Sequence, residues 1–73
     1  MKFDMKMNQN HSSFFDQKTK EFLFVDTFDH FNYEVFMGTL SQTKLIGKFT
    51  ANNEKDLNDN IKKLYLENKV SAV

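Results

Sequence analysis

The sequence predicts an α+β fold: an antiparallel three- to four-stranded β-meander with one C-terminal amphipathic helix packed on one face. Three apolar-rich segments follow one another closely between Glu21 and Ala51, and each has the length of a strand. A repeat of apolar residues at helical spacing comes directly after them. Strands followed by a helix are typical of small α+β domains, in which the helix covers one side of the sheet.

The length and composition of the chain predict a single small domain, residues 1–73, that binds no cofactor and no metal. Seventy-three residues build only a modest core. The chain has no cysteine, which excludes disulfide bonds and thiolate metal sites. Its two histidines, His11 and His30, are fewer than the four ligands of a structural zinc ion. Small domains without such links often gain stability by binding a partner or a second copy of themselves.

The charge balance argues against nucleic acid as the main partner. Ten lysines stand against ten acidic residues, and arginine is absent. Nucleic-acid-binding domains normally carry a basic excess, in which arginine makes the two-pronged contacts to phosphate and guanine. The lack of arginine, proline, tryptophan and cysteine, beside abundant lysine, asparagine and phenylalanine, is typical of AT-rich genomes such as those of low-GC bacteria and their phages.

Apolar runs in the chain are too short for a membrane span. The longest one, Phe22–Val25, has four residues, whereas a transmembrane helix needs about 20. Met1–Met7 alternates charged and apolar side chains and lacks the continuous apolar core of a secretory signal. The sequence therefore predicts a cytoplasmic protein with no membrane partner.

The first part of the chain, residues 1–20, has several interpretations. Residues 2–7 alternate charged and apolar side chains, which predicts an edge strand unless this segment is flexible. Ser13 and Asp16 have the spacing of a capping box and could open a short helix. Alternatively Phe14-Phe15 belongs to a strand that returns through a polar turn, and we favour this hairpin.

The meander at residues 21–51 has two apolar faces, because apolar side chains occur at both odd and even positions of its strands. We assign one set to the face under the helix: Phe22, Phe24, Phe28, Phe36, Leu40 and Phe49. The opposite face then carries Leu23, Val25, Tyr33, Val35, Met37 and Ile46. Gly38 and Gly47 lie inside strands, where glycine marks a bulge or a close approach such as that of a crossing helix.

The helix is predicted over residues 53–69. Asn52 or Asn53 provides the N-cap, and Asp59 has the spacing to pair with Lys63 one turn later. One apolar stripe faces the sheet and consists of Leu57, Ile61, Leu64 and Tyr65.

One helix cannot cover both faces of such a sheet, so the second face predicts an interaction surface. Monomers rarely leave large apolar patches exposed. Either residues 1–20 fold across this face, or a homodimer or another partner covers it, and the sequence leaves both open. The side chains expected to contact the partner are Val25, Tyr33, Val35 and Met37.

Catalytic chemistry has weak support in the sequence. Asp26, Asp29 and His30 gather around one turn, yet turns collect such residues for solubility, and nothing else converges on them. His11 stands beside two serines, but no third group orients it for nucleophilic catalysis. We therefore predict no catalytic residues and no enzyme.

Two functions remain as hypotheses. The first is a non-enzymatic protein-binding module, in its concrete version a phage- or mobile-element-encoded inhibitor that occludes a host protein. The second follows from element order: over residues 21–66, the strands and the helix that begins after Phe49-Thr50-Ala51 resemble the small HicB-type antitoxin domain, without a diagnostic motif. That resemblance implies an antitoxin-like or regulatory homodimer that contacts nucleic acid through its lysine-bearing helix.

Overall fold

The computed structural model describes residues 2–69, and the apolar stretch at residues 70–73 lies outside them. Four antiparallel strands form one sheet in the order β1-β2-β3-β4, and one helix follows. The predicted fold class is confirmed, with four strands in the meander. The elements are β1 His11–Asp16, β2 Glu21–Thr27, β3 Asn32–Thr39, β4 Gln42–Thr50 and α1 Glu54–Asn68.

The turn between β1 and β2 is stabilised by Asp16, which confirms the predicted hairpin and excludes the alternative helix at Ser13. The Asp16 carboxylate accepts a hydrogen bond from the Lys18 backbone N–H at 2.8 Å, and its carbonyl accepts one from the Lys20 N–H, also at 2.8 Å. Lys20 has a φ of 62°, the left-handed conformation that closes the turn. Short polar side chains favour turns by making such bonds to nearby backbone.

The inner face of the sheet, the one that α1 covers, is the reverse of the predicted one. Leu23, Val25, Tyr33, Val35 and Met37 are buried there, whereas five of the six side chains assigned to this face lie elsewhere. Only Phe49 was placed correctly, and it stacks on Tyr33 with ring centroids 5.5 Å apart. The helix contributes the predicted stripe: Leu57 and Ile61 are fully buried, and Leu64 and Tyr65 are half-buried.

A β-bulge at Ile46 changes the phase of β4. Val35 pairs with Gly47 but Phe36 pairs with Leu45, so Ile46 is the extra residue. Gly47 and Ile46 consequently belong to the inner side, while Leu45 turns outward. Strict alternation along β4 would put Leu45 and Gly47 on the same face, and the bulge places them on opposite faces.

Glycine is required at Gly38 and at Gly47 for different structural reasons. A Cβ on Gly47 would lie 2.6 Å from Leu64 Cδ2, so glycine admits the helix, as predicted. Gly38 has a φ of 154°, and a Cβ there would collide with the carbonyl oxygen of Gln42 in the adjacent strand. Gly38 is therefore required by its own hairpin and not by the helix.

Helix α1 begins with the predicted N-cap. The Asn53 side chain accepts a hydrogen bond from the Asp56 N–H at 2.8 Å. Asp59 is bound by Lys55, with 2.7 Å between Nζ and Oδ2, so its predicted pairing with Lys63 is wrong. This ion pair is exposed, and such pairs contribute little to stability because water and salt screen the two charges.

Residues 2–7 form a strap along the helix side of the core, without strand pairing. The Asn58 side chain of α1 holds it: Oδ1 accepts from the Met5 N–H at 2.9 Å, and Nδ2 donates to the Met5 carbonyl at 3.0 Å. Phe3, Met5 and Met7 point inward, as the alternation predicted, although the predicted edge strand is wrong. The strap therefore covers the inner face, and the other face receives no cover from residues 2–69.

Candidate interaction surface

The four residues predicted to contact a partner lie in the core. Val25 and Val35 are 0% exposed, Tyr33 1% and Met37 5%, all beneath α1 and the strap. The assignment of these side chains to an accessible face is therefore wrong. The surface left uncovered is the opposite one, called the outer face below.

A signal that distinguishes the two faces was present in the sequence. Asp26 has the same parity in β2 as Phe22 and Phe24, and Glu34 has the same parity in β3 as Phe36. Apart from Glu21, the first residue of β2, the other parity of both strands carries no charged side chain. Because charges are almost never buried without a partner, the uncharged set belongs inside even though the charged set has more aromatic residues.

Strand register arranges the outer face in three parallel rows across the sheet. The first row is Phe15, Phe22, Gly38 and Thr43. The second row is Ser13, Phe24, Phe36 and Leu45. The third row is His11, Asp26, Glu34 and Lys48. Neighbouring rows are two residues apart along β1, β2 and β3, about 7 Å. In β4 the bulge makes Leu45 and Lys48 three residues apart.

Large apolar side chains of the first two rows form what we call the aromatic patch. Its rings contact one another: the Phe15 and Phe22 centroids are 4.7 Å apart, and Phe22 stacks on Phe24 at 5.6 Å. The most exposed members are Phe15 at 41% and Leu45 at 44%. The members are Phe15, Phe22, Phe24, Phe36 and Leu45. Mutual packing removes part of this surface from water, and the remainder faces solvent.

The third row, called the charged row below, borders the aromatic patch. Lys48 contacts Glu34 at 3.5 Å in an exposed ion pair. Asp26 is exposed and forms no ion pair with any residue between 2 and 69, although His11 is its cross-strand neighbour. In this row, Asp26 and Glu34 lie on the central strands β2 and β3, whereas His11 and Lys48 lie on the edge strands β1 and β4.

An open groove of about 860 Å³ runs along the charged row and the turn between β2 and β3. Asp26, Asp29, Glu34 and Lys48 line it together with Phe28, whose side chain is 98% exposed. Asp29 accepts hydrogen bonds from the Asn32 N–H at 2.7 Å, the Asn32 side chain at 2.8 Å and the Phe31 N–H at 2.9 Å. These bonds lower the pKa of Asp29 to about 2, so its carboxylate remains ionised at neutral pH.

At the opposite end of the molecule, Tyr65 joins the helix to the first turn of the sheet. Its hydroxyl donates a hydrogen bond to Asp16, and this bond, with smaller contributions from burial and nearby carboxylates, raises the pKa of Tyr65 to about 12. The same bond is the largest cause that lowers the pKa of Asp16, and hydrogen bonds from backbone N–H groups of the turn lower this pKa further. The contact closes the inner face and contributes nothing to the outer one.

The structure also places the weaker candidates that the sequence offered for catalysis. The Asp29 carboxylate is occupied by the turn that it stabilises. His11 and Ser13 lie on the outer face and Ser12 on the inner one, so consecutive residues of β1 point apart. Within the described residues, no three histidine, aspartate or glutamate side chains are grouped as metal ligands would be.

Comparisons with known proteins returned no relative: no protein family, curated protein or solved structure matches the chain. Among residues 2–69, no helix has the length and apolar character needed to cross a bilayer.

Proposed function

We propose that this protein is a non-enzymatic protein-binding module that acts by occlusion, covering part of a partner's surface with the outer face of its sheet. The observation that carries the proposal is the uncovered aromatic patch beside a charged row. Interface cores favour aromatic and aliphatic side chains, and polar groups surround them.

The arrangement of the patch supports binding to a broad and fairly flat surface. Phe24 lies at its centre, stacked on Phe22 and opposite Phe36 across the strands. Clustered aromatic side chains of this kind are typical of the few residues that dominate binding energy. Two further apolar side chains are exposed in the turns at the two ends of the sheet, with Phe28 98% and Leu40 79% exposed.

The narrower version of the proposal is an inhibitor encoded by a phage or mobile element and directed at a host protein. The amino-acid composition, which is typical of AT-rich genomes, supports this origin. A small domain with one exposed apolar face is suited to covering a site on a host protein. Nucleic acid has less support as a partner of the outer face, because Asp26 and Glu34 lie beside its aromatic rings and would repel phosphate.

The test compares proteins captured from nuclease-treated lysate by the wild-type chain and by Phe24→Ser. Because Phe24 is central to the patch, we expect the captured partner to be lost, with the amount bound falling at least about tenfold, as for a residue that dominates binding. Captured proteins are quantified by mass spectrometry.

Leu66→Ser is the matched control, since Leu66 is 50% exposed on α1, away from the outer face. This variant removes an exposed apolar side chain and should retain the partner. Circular dichroism verifies that both variants are folded. A partner that binds Phe24→Ser as well as it binds the wild type would exclude the outer face as the binding surface.

A further inference from the structure

We propose that the outer face accepts a basic apolar segment of its partner: apolar side chains that cover the aromatic patch, next to a lysine or arginine that lies over Asp26 and Glu34. This inference rests on the function proposed above and specifies the chemistry of the partner. The juxtaposition that carries it is a row of central carboxylates directly beside five exposed or half-exposed apolar side chains.

The charge of the surface next to the patch is acidic. Three carboxylates, Asp26, Asp29 and Glu34, line the groove, and Lys48 supplies the single ammonium group among its lining residues. Lys48 is bound to Glu34, so Asp26 keeps an exposed charge without an ion pair in the described part of the chain. A partner that brings a cation to Asp26 removes this imbalance, and complementary charge is a main source of specificity at interfaces.

An aromatic side chain stands at the same end of the sheet. Phe28 follows β2 directly and lines the groove with nearly its whole side chain in water. The face of such a ring attracts a lysine or arginine side chain and favours arginine, which can stack flat upon it. The carboxylates and the aromatic ring that line this groove therefore favour the same ligand group, a lysine or arginine side chain.

A second copy of the chain would not bring opposite charges to the charged row. With a two-fold axis parallel to the strands, two outer faces would meet with β1 over β4 and β2 over β3 of the other copy. The charged rows would then coincide, so that Asp26 faces Glu34 and His11 faces Lys48. Like charges in direct opposition disfavour this arrangement.

A two-fold axis across the strands is no better. Centred on the second row, it would place the charged row of each copy over the first row of the other, with Asp26 on Phe22. A carboxylate pressed onto an aromatic ring loses water and gains no partner.

An overlap limited to the aromatic patch avoids these conflicts but is small. Its five members are at most 44% exposed, and such side chains bury about 200 Å² each, so the patch offers on the order of 400 Å². A standard interface uses about 800 Å² from each partner. A stable complex must therefore extend beyond the patch, and the acidic groove that adjoins it, lined by Asp26, Asp29, Glu34 and Phe28, favours a partner with the opposite charge.

A randomised library of displayed 12-residue peptides provides a defined probe. Peptides selected on the wild-type protein should combine aromatic or aliphatic residues with lysine or arginine. The dissociation constant of the selected peptides should increase at least about tenfold on Asp26→Lys, because the substitution sets like charges in opposition. Asp56→Lys is the matched control: Asp56 is an exposed acid on α1, and its reversal should change affinity by less than about twofold.

The outcomes separate this inference from the function on which it rests. Peptides that bind Phe24→Ser as well as the wild type, or a library without enrichment, would contradict both. Peptides that need Phe24 but lack basic residues, or that bind Asp26→Lys unchanged, would overturn the basic-segment inference and leave the protein-binding function standing. Sedimentation of the protein alone should show a monomer. A dimer that Phe24→Ser dissociates would also overturn the inference, because a second copy would then cover the patch.

Discussion

The inner face of the sheet is mostly apolar in its centre, carries charged side chains such as Asp16 and Glu21 at its end near the first turn, and is covered by both α1 and the strap. The outer face is richer in phenylalanine, and its row of charges crosses the central strands. Phenylalanine content alone would rank the outer face as the better core. The charged row decides which face is buried, because its members share strand parity with the phenylalanines and cannot be buried with them. In this chain, the position of the charges therefore determines the position of the core.

The largest expected difference between the faces concerns two adjacent residues of β3. Val35→Asp puts a carboxylate at a site that is 0% exposed and should cost at least about 4 kcal/mol, comparable to the whole stability of a small domain. Phe36→Ser, one residue later on the outer face, should cost only about 1–2 kcal/mol. Urea unfolding followed by circular dichroism measures both, and equal losses would show that the two faces contribute alike to stability.

A smaller effect tests how closely the helix approaches the inner face. Gly47→Ala should lower the free energy of unfolding by about 1–3 kcal/mol, because the new methyl group collides with Leu64. In a Leu64→Ala background the same substitution should cost almost nothing, since the colliding atoms are gone. An equal cost in both backgrounds would mean that the helix does not restrict Gly47.

The smallest expected effect is a pH dependence of stability that arises on the inner side of the sheet. The pKa of Tyr65 is raised to about 12 by its bond to Asp16, from about 10 in an unfolded chain. A raised pKa favours the protonated form in the folded state. The stability that the bond contributes is therefore complete below pH 10 and lost between about pH 10 and 12.

Tyr65→Phe should remove this loss, and the difference in melting temperature between wild type and variant should shrink as the pH rises through that window. Taking the difference cancels the titration of lysines and of Tyr33, whose pKa burial also raises. A difference that stays constant with pH would contradict the assignment. The aromatic patch contains no hydroxyl group, so the outer face should show no corresponding change.

The elements could be predicted from the sequence because each has a local cause. The helix follows from Asn53 and the spacing of Leu57, Ile61 and Leu64, and the first hairpin follows from the polar turn after Asp16. Alternation in the strands likewise separated the two sets of side chains correctly in β2 and β3. It left open which set is inside, and the assignment of the phenylalanine-rich set to the helix side was wrong.

The features that escaped prediction depend on distant contacts. The bulge at Ile46 changes the phase of β4 by one residue, and no local pattern marks it apart from the neighbouring glycine. The strap is fixed by Asn58, which is 53 positions away from Met5 along the chain. The charges in β2 and β3 mark in the sequence which face is exposed, but the extent of the candidate surface depends on what the helix and the strap leave uncovered, and these contacts are visible only in the folded structure.

The bulge in β4 has a further consequence for how the molecule behaves at high concentration. An open sheet can grow by adding strands at its edges, which is the route to fibrils. At β4 the irregular ladder and the lysines Lys44 and Lys48 hinder such growth. The six-residue β1, at the other edge, contains neither a bulge nor a lysine. Any ordered aggregation of this chain should therefore begin at β1, and a lysine introduced at Ser13 would suppress it.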